Sequence, residues 1–414
     1  MSETSQNEKK LIKILLTFLI VLILLKSQIN PLTYDEARTF LDYVRPKDVF
    51  KFSIANNHLV NSLSMIITST IDNSVIMLRL PNILTGLIYI FTSYFLCIKY
   101  NNSLLMFTLF CLSPLLFEFF TLARGYGIAA SCLFLGSVIY YENKDYKYSL
   151  LISSFFFTIS IYSIYISSIY VFSFFAVVLW SEFKKKNTII LLVSSSIVGF
   201  SSYQTTRWMI GVKEYDAYLY GLENYNFSYF LKSIFGFGPL FNPYFQNLGS
   251  LILVAFLFIW ATSFKRRILS KDTFEREYVL IFSVILLYLI PILLDSKLPQ
   301  FRVLLPFLPG LLLVLSNSLN FVNLSNKKSI FIKNFLIFVL IFNFLYTFKL
   351  DNTYDWRWNK VEPKEAIKFE IDTETQKCYY PYIENPVAEY YRLLEVEKNK
   401  IYCNEVNGKI INQK

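Results

Sequence analysis

Two adjacent carboxylates, Asp35 and Glu36, stand in the run Tyr34-Asp35-Glu36-Ala37-Arg38-Thr39-Phe40, directly after the first long apolar stretch. Carboxylates are costly beside a bilayer, so a pair there marks a candidate site. An ionised carboxylate can take the proton from a hydroxyl, provided it sits within hydrogen-bond reach. His58, the one histidine of the chain, follows in Asn56-Asn57-His58. Three arginines come next: Arg79 in Leu78-Arg79-Leu80-Pro81, Arg124 in Ala123-Arg124-Gly125-Tyr126-Gly127, and Arg302 in Pro299-Gln300-Phe301-Arg302. The guanidinium fork matches phosphate oxygens, so fixed arginines suit a departing phosphate. Taken singly, each residue has an ordinary reading. An interfacial arginine commonly snorkels or holds a lipid headgroup. A single histidine in a loop is more often a hydrogen-bonded structural residue than a ligand. Glu118 has Arg124 within two helical turns as a partner. Placement on one side of a membrane is what would join them into a site.

That placement depends on the apolar elements. The chain has 414 residues, 54% hydrophobic and 17% charged, with 41 Phe and 30 Tyr. A soluble domain carries roughly 25% charged residues. The composition predicts an all-α polytopic membrane protein with about eleven transmembrane helices, taking ~20 apolar residues per crossing. The expected spans are 11–26, 76–98, 103–121, 127–141, 148–163, 164–181, 188–205, 248–264, 278–294, 303–322 and 330–348. No small-residue cleavage site follows the first run, which favours a retained span over a secretory signal. Basic clusters at Lys9/Lys10/Lys13, Lys99, Lys144/Lys147, Lys184–Lys186, Lys265–Arg276 and Lys327–Lys333 fall in alternate loops. The positive-inside rule then makes the N-terminus cytoplasmic. The first loop 27–75, the long loop 206–247 and the tail 350–414 become external. Asp35, Glu36, His58, Arg79, Arg124 and Arg302 all fall at that outer level. The net charge of +10 lies in short clusters between apolar runs, which argues against a nucleic-acid partner. With one histidine, and with Cys97, Cys111 and Cys132 inside spans, a zinc site is excluded. A hard divalent cation held by Asp35, Glu36 and water stays open.

In order and spacing, these segments resemble the GT-C superfamily of membrane glycosyltransferases, in its protein-mannosyltransferase-like and aminoarabinose-transferase-like branch (glycosyltransferase family 39-like). The resemblance rests on Asp35-Glu36 in the first external loop, Asn56-Asn57-His58-Leu59, Arg79-Leu80-Pro81, Ala123-Arg124-Gly125-Tyr126, and Arg302-Val303-Leu304-Leu305-Pro306. It covers roughly residues 10–320. Leu59 replaces a proline of the pattern, and Leu122 stands where an acidic residue is common. The resemblance implies transfer of a sugar from a polyprenyl-phosphate-linked donor to an acceptor hydroxyl of a glycan, lipid or protein, with inversion. Asp35 would be the general base. Glu36 would orient Asp35, a metal or the acceptor. Asn57 and His58 would contact the donor. Arg79, Arg124 and Arg302 would hold the lipid phosphate, and Tyr126 would pack on lipid or sugar. The implied setting is a bacterial inner membrane.

Residues 1–349 form the expected membrane domain. Residues 350–414 change to a charged, span-free composition and predict a small external α/β domain. Helical spacing runs from Pro363 to Ile371 and from Pro386 to Glu397, and short strands are expected at 378–380 and 401–403. Cys378 and Cys403 would face an oxidising compartment, either as a disulfide or as two thiols. Two other classes compete. A transporter or flippase would need ionisable groups near mid-membrane and favours repeated halves, and neither is evident. A polysaccharide polymerase or ligase would carry its key cations in large late loops.

Overall fold

The computed structural model describes residues 3–50, 58–99, 103–182, 188–215, 275–293, 301–321, 327–350, 370–372, 377–379, 386–393 apart from 388 and 392, 405–406 and 409–410. The described residues are mostly helical. Helices α1 (Glu3–Ile29), α4 (Val75–Cys97), α10 (Thr188–Tyr215) and α11 (Glu275–Leu293) contain runs long and apolar enough to cross a membrane, as does α13 (Lys327–Thr347). These five fit an all-α membrane protein. Apolar runs become helices here because a spanning segment must satisfy its own backbone donors and acceptors.

The expected segments recur with small shifts, but several are not single long helices. The run 103–121 breaks into α5 (Ser103–Cys111) and α6 (Pro114–Phe120), bent by 61°. Pro114 opens α6, and the Ser113 hydroxyl caps it by accepting from the Leu116 amide at 3.2 Å. Counting this pair as one gives up to six spans among the described residues. α7 (Gly125–Glu142) is followed by two shorter helices, α8 (Ser149–Ser163) and α9 (Ser167–Glu182). The 303–322 run starts as a 3-10 segment, Phe301–Phe307, with Pro306 inside it, and continues as α12 (Leu308–Phe321). α10 extends to Tyr215, so the first part of the expected loop 206–247 is helix. The rest of that loop and the span expected at 248–264 lie outside the described residues.

The first loop carries α2 (Tyr34–Thr39), a π-helical turn (Phe40–Val44) and α3 (Leu59–Ser69). The Arg45 amide donates to the Phe40 carbonyl at 2.8 Å, closing the wider turn. In the tail, Glu370–Asp372 is strand β1, where the 363–371 pattern predicts helix. It pairs antiparallel with β2 (Lys377–Tyr379), β2 parallel with β3 (Glu405–Val406), and β3 antiparallel with β4 (Lys409–Ile410). Cys378 lies in β2, and Cys403 lies outside the described residues.

One large apolar core runs through the helix bundle. A smaller one lies apart, built from Leu32, Ala37, Phe40, Val44, Met65, Leu78 and Ala123, with Val387 and Tyr390 from the far end of the chain. It surrounds the helix that carries the acidic pair.

Candidate functional site

α2 is only six residues long, so its place is set by contacts and not by intrinsic helicity. Thr33 caps it. The Glu36 amide donates to the Thr33 hydroxyl at 3.3 Å, and the Thr33 amide donates to Glu36 Oε2 at 2.9 Å. This is a reciprocal capping box, and Thr33-x-x-Glu36 is its sequence signature.

Glu36 is fully buried and faces Arg79, which is also fully buried. Arg79 Nε donates to Oε1 at 2.8 Å and Nη2 donates to Oε2 at 2.7 Å. The Ala123 amide adds a donor to Oε1 at 2.6 Å. A carboxylate has about four lone-pair sites, and those of Glu36 are filled by Arg79, Ala123 and Thr33. Burial pushes the Glu36 carboxyl up. The Arg79 charge and the hydrogen bonds from Arg79, Ala123 and Thr33 outweigh it, holding the group below its ordinary value.

Arg79 is equally spent. Nη1 donates to the carbonyls of Ser27 (3.0 Å) and Asn30 (2.7 Å), and Nη2 also donates to that of Pro31 (2.9 Å). A guanidinium has about five N–H donors, and those contacts use all of them. The three carbonyls lie at or just beyond the C-terminus of α1, where a helix leaves acceptors unpaired and its dipole favours a cation. The pair therefore ties the end of α1, α2, α4 and the 121–124 turn into one unit. The sequence-based roles of Glu36 in catalysis or metal binding, and of Arg79 in holding phosphate, conflict with this saturation. Either role would require breaking buried charged hydrogen bonds. Among the described residues, no group of three or more His, Cys, Asp or Glu could hold a metal ion.

Asp35 stands differently. Successive helix positions point about 100° apart, so its carboxylate leaves the buried pair. Its side chain is 18% exposed, and Oδ2 lies 3.4 Å from Nη2 of Arg124. Thr39 donates its hydroxyl to the Asp35 carbonyl at 2.8 Å, fixing the backbone beneath. Arg124 is buried and lies between the turn and α7, with its guanidinium 6.0 Å from the Tyr126 ring centre. Arg124 thus forms an ion pair with Asp35 across the turn.

His58 is buried at the start of α3. Its Nδ1 is 3.1 Å from the Ser163 carbonyl. A carbonyl only accepts, so Nδ1 carries the proton in that contact. The ring meets Tyr126 edge-on at 5.2 Å, and Tyr126 packs on Phe119 at 4.7 Å. Gly125 makes this approach feasible. A Cβ there would lie 2.5 Å from the Ser163 carbonyl oxygen and 2.8 Å from His58 Cβ.

The structure thus brings Asp35, Arg124, Tyr126 and His58 together, and places Glu36 and Arg79 behind them. Only the backbone of Arg302 is described, in the 3-10 segment that packs on α7. Asn57 lies outside the described residues. Sequence reasoning missed Asn61 and Asn82. Asn61 Nδ2 donates to the Ala123 carbonyl at 3.0 Å, and Asn82 Nδ2 donates to Asn61 Oδ1 at 2.7 Å. Both side chains are buried, so the 121–124 turn is held by Glu36 through its amide and by Asn61 through its carbonyl. An asparagine inside an apolar helical run was the available signal. No protein-family model, curated protein or solved structure matches this chain.

Proposed function

We propose that the chain is an inverting membrane glycosyltransferase acting on a polyprenyl-phosphate-linked sugar, with its site on the outer face. The observation that carries this reading is the contrast within one dipeptide. Glu36 is saturated and buried, while Asp35 is partly exposed and faces the buried cation Arg124. Asp35 takes the proton of an acceptor hydroxyl. The hydroxyl oxygen then bonds the anomeric carbon as the carbon–oxygen bond to phosphate breaks, and polyprenyl phosphate leaves with the electron pair. Arg124 stabilises the growing phosphate charge, with Arg302 as the second cation. His58 and Tyr126 line the sugar. The acceptor is a glycan, lipid or protein hydroxyl, and membrane lipids surround the helices. In this reading the N-terminus is cytoplasmic and about eleven spans cross the membrane at ~20 residues each. Loop 27–75, loop 206–247 and the tail then face outward.

Transfer of labelled sugar from a polyprenyl-phosphate donor in membranes tests the proposal. Asp35→Asn keeps the side-chain shape and loses the base, so transfer is expected to fall by about 10²–10⁴-fold at normal protein levels. Undiminished transfer in both Asp35→Asn and Asp35→Ala would sink the assignment. Movement of substrate across the membrane without a new glycosidic bond would instead support a transporter.

A further inference from the structure

Residues within 386–393, from the far end of the chain, sit on the small apolar cluster around α2. Val387 and Tyr390 are fully buried there. The Tyr390 ring meets Phe40 edge-on at 5.1 Å, just past the end of α2. Its hydroxyl donates to the carbonyl of Asn73, the residue before Ser74, which caps α4. Tyr391 packs on the same cluster and bonds to the backbone of Leu32, just before α2. A buried tyrosine fills an apolar niche with its ring and needs a partner for its hydroxyl, and Tyr390 has both.

These contacts join two elements in particular. α2 carries Asp35 and Glu36, and α4 carries Arg79. The Glu36–Arg79 pair links them from inside, and Tyr390 adds a second link, 317 residues along the chain from its acceptor. A six-residue helix has no stability of its own, so whatever pins it sets the direction of its side chains.

We propose that Tyr390 is a positioning residue: it clamps α2 to the start of α4 and thereby holds Asp35 against Arg124. The clamp follows from the geometry alone, whereas its effect on catalysis rests on the sugar-transfer reading above.

Two readouts on the full-length protein in detergent test it separately. In hydrogen exchange, Tyr390→Ala is expected to speed exchange of amides in 34–40 by about tenfold or more, with α7 unchanged. Tyr390→Phe, which keeps the ring against Phe40 but loses the bond to the Asn73 carbonyl, is expected to recover only part of the protection. In the transfer assay, Tyr390→Ala lowers kcat by about tenfold with KM for the polyprenyl-phosphate sugar nearly constant. Adding Tyr390→Ala to Asp35→Ala costs nothing further, because the clamp works through Asp35. Unchanged exchange in 34–40, or a loss that adds fully to that of Asp35→Ala, overturns the proposal. Should Tyr390→Ala fail to accumulate, Val387→Ala carries the same exchange comparison. A wild-type protein without transfer overturns the sugar-transfer reading, and the exchange result still decides the clamp.

Discussion

Charged groups gather at both ends of α7, and the two gatherings are built differently. At its C-terminal end, Glu142 pairs with Lys99 at 3.8 Å and with Arg276 at 3.4 Å, and Lys144 just beyond it pairs with Glu275 at 2.5 Å. Their exposure is graded, from 61% for the Lys99 side chain to 7% for that of Glu275. The Arg276 guanidinium also lies 4.7 Å from the Tyr141 ring centre, and Lys144 lies 5.6 Å from those of Tyr140 and Tyr141. At the N-terminal end, Glu36 and Arg79 are sealed from solvent. The first arrangement is a set of separate tethers between helix ends, of which the Lys99 pair is the most exposed. The second is a junction in which one carboxylate and one guanidinium fix three backbone segments. Rigidity is thus concentrated on the side where Asp35 and Arg124 meet.

Breaking the junction should give the largest effect. Removing one partner of a buried ion pair strands the other charge, at a cost of about 3–5 kcal/mol. Glu36→Ala or Arg79→Ala should therefore sharply lower the thermal unfolding midpoint of the purified protein. The double change to apolar residues of similar volume should recover little of it, because the carbonyls of Ser27, Asn30 and Pro31 and the amides of Thr33 and Ala123 would lose their partners. A midpoint within error of wild type for both single variants would show that the junction is not structural.

The acid response should separate the two ends next. The Glu36 carboxyl is held below its ordinary value of 4.5 in the folded chain. Its stabilisation is therefore complete above that value and is lost as pH falls below it through the lower folded value. Unfolding midpoints followed from neutral pH down past 4.5 should fall more steeply for wild type than for Glu36→Gln.

The tethers should give the smallest effect. Exposed pairs contribute about 0.2–1 kcal/mol and are screened by salt. Lys99→Ala should barely shift the midpoint, and any shift should vanish in high salt. A salt-independent loss as large as that of Arg79→Ala would erase the distinction drawn between the two ends.

Much of the helical layout was legible because lipid imposes one rule on every span. The apolar runs 76–98 and 127–141 became Val75–Cys97 and Gly125–Glu142. The breaks at Pro114 and Pro306 were read as continuous span, since hydropathy does not register a missing amide. Asp35, Glu36, His58, Arg79 and Arg124 were identifiable as residue types. Their pairing was not, because it depends on which helix ends meet. The Thr33-x-x-Glu36 capping signature was the local clue that Glu36 turns back toward its own backbone, away from a substrate.

The spread of partners around Glu36 has a consequence for biosynthesis. Thr33 is already there when Glu36 is made, Arg79 lies 43 residues later, and Ala123 lies 87 residues later. At about 5–20 residues per second, Ala123 follows Glu36 by roughly ten seconds. Throughout that interval the Glu36 charge is only partly matched. A ribosome stalled before Ala123 would leave the Glu36 carboxylate one donor short of closure even with Arg79 docked. Assembly of this corner is therefore ordered by translation: α1, then α4, then the turn that opens α7.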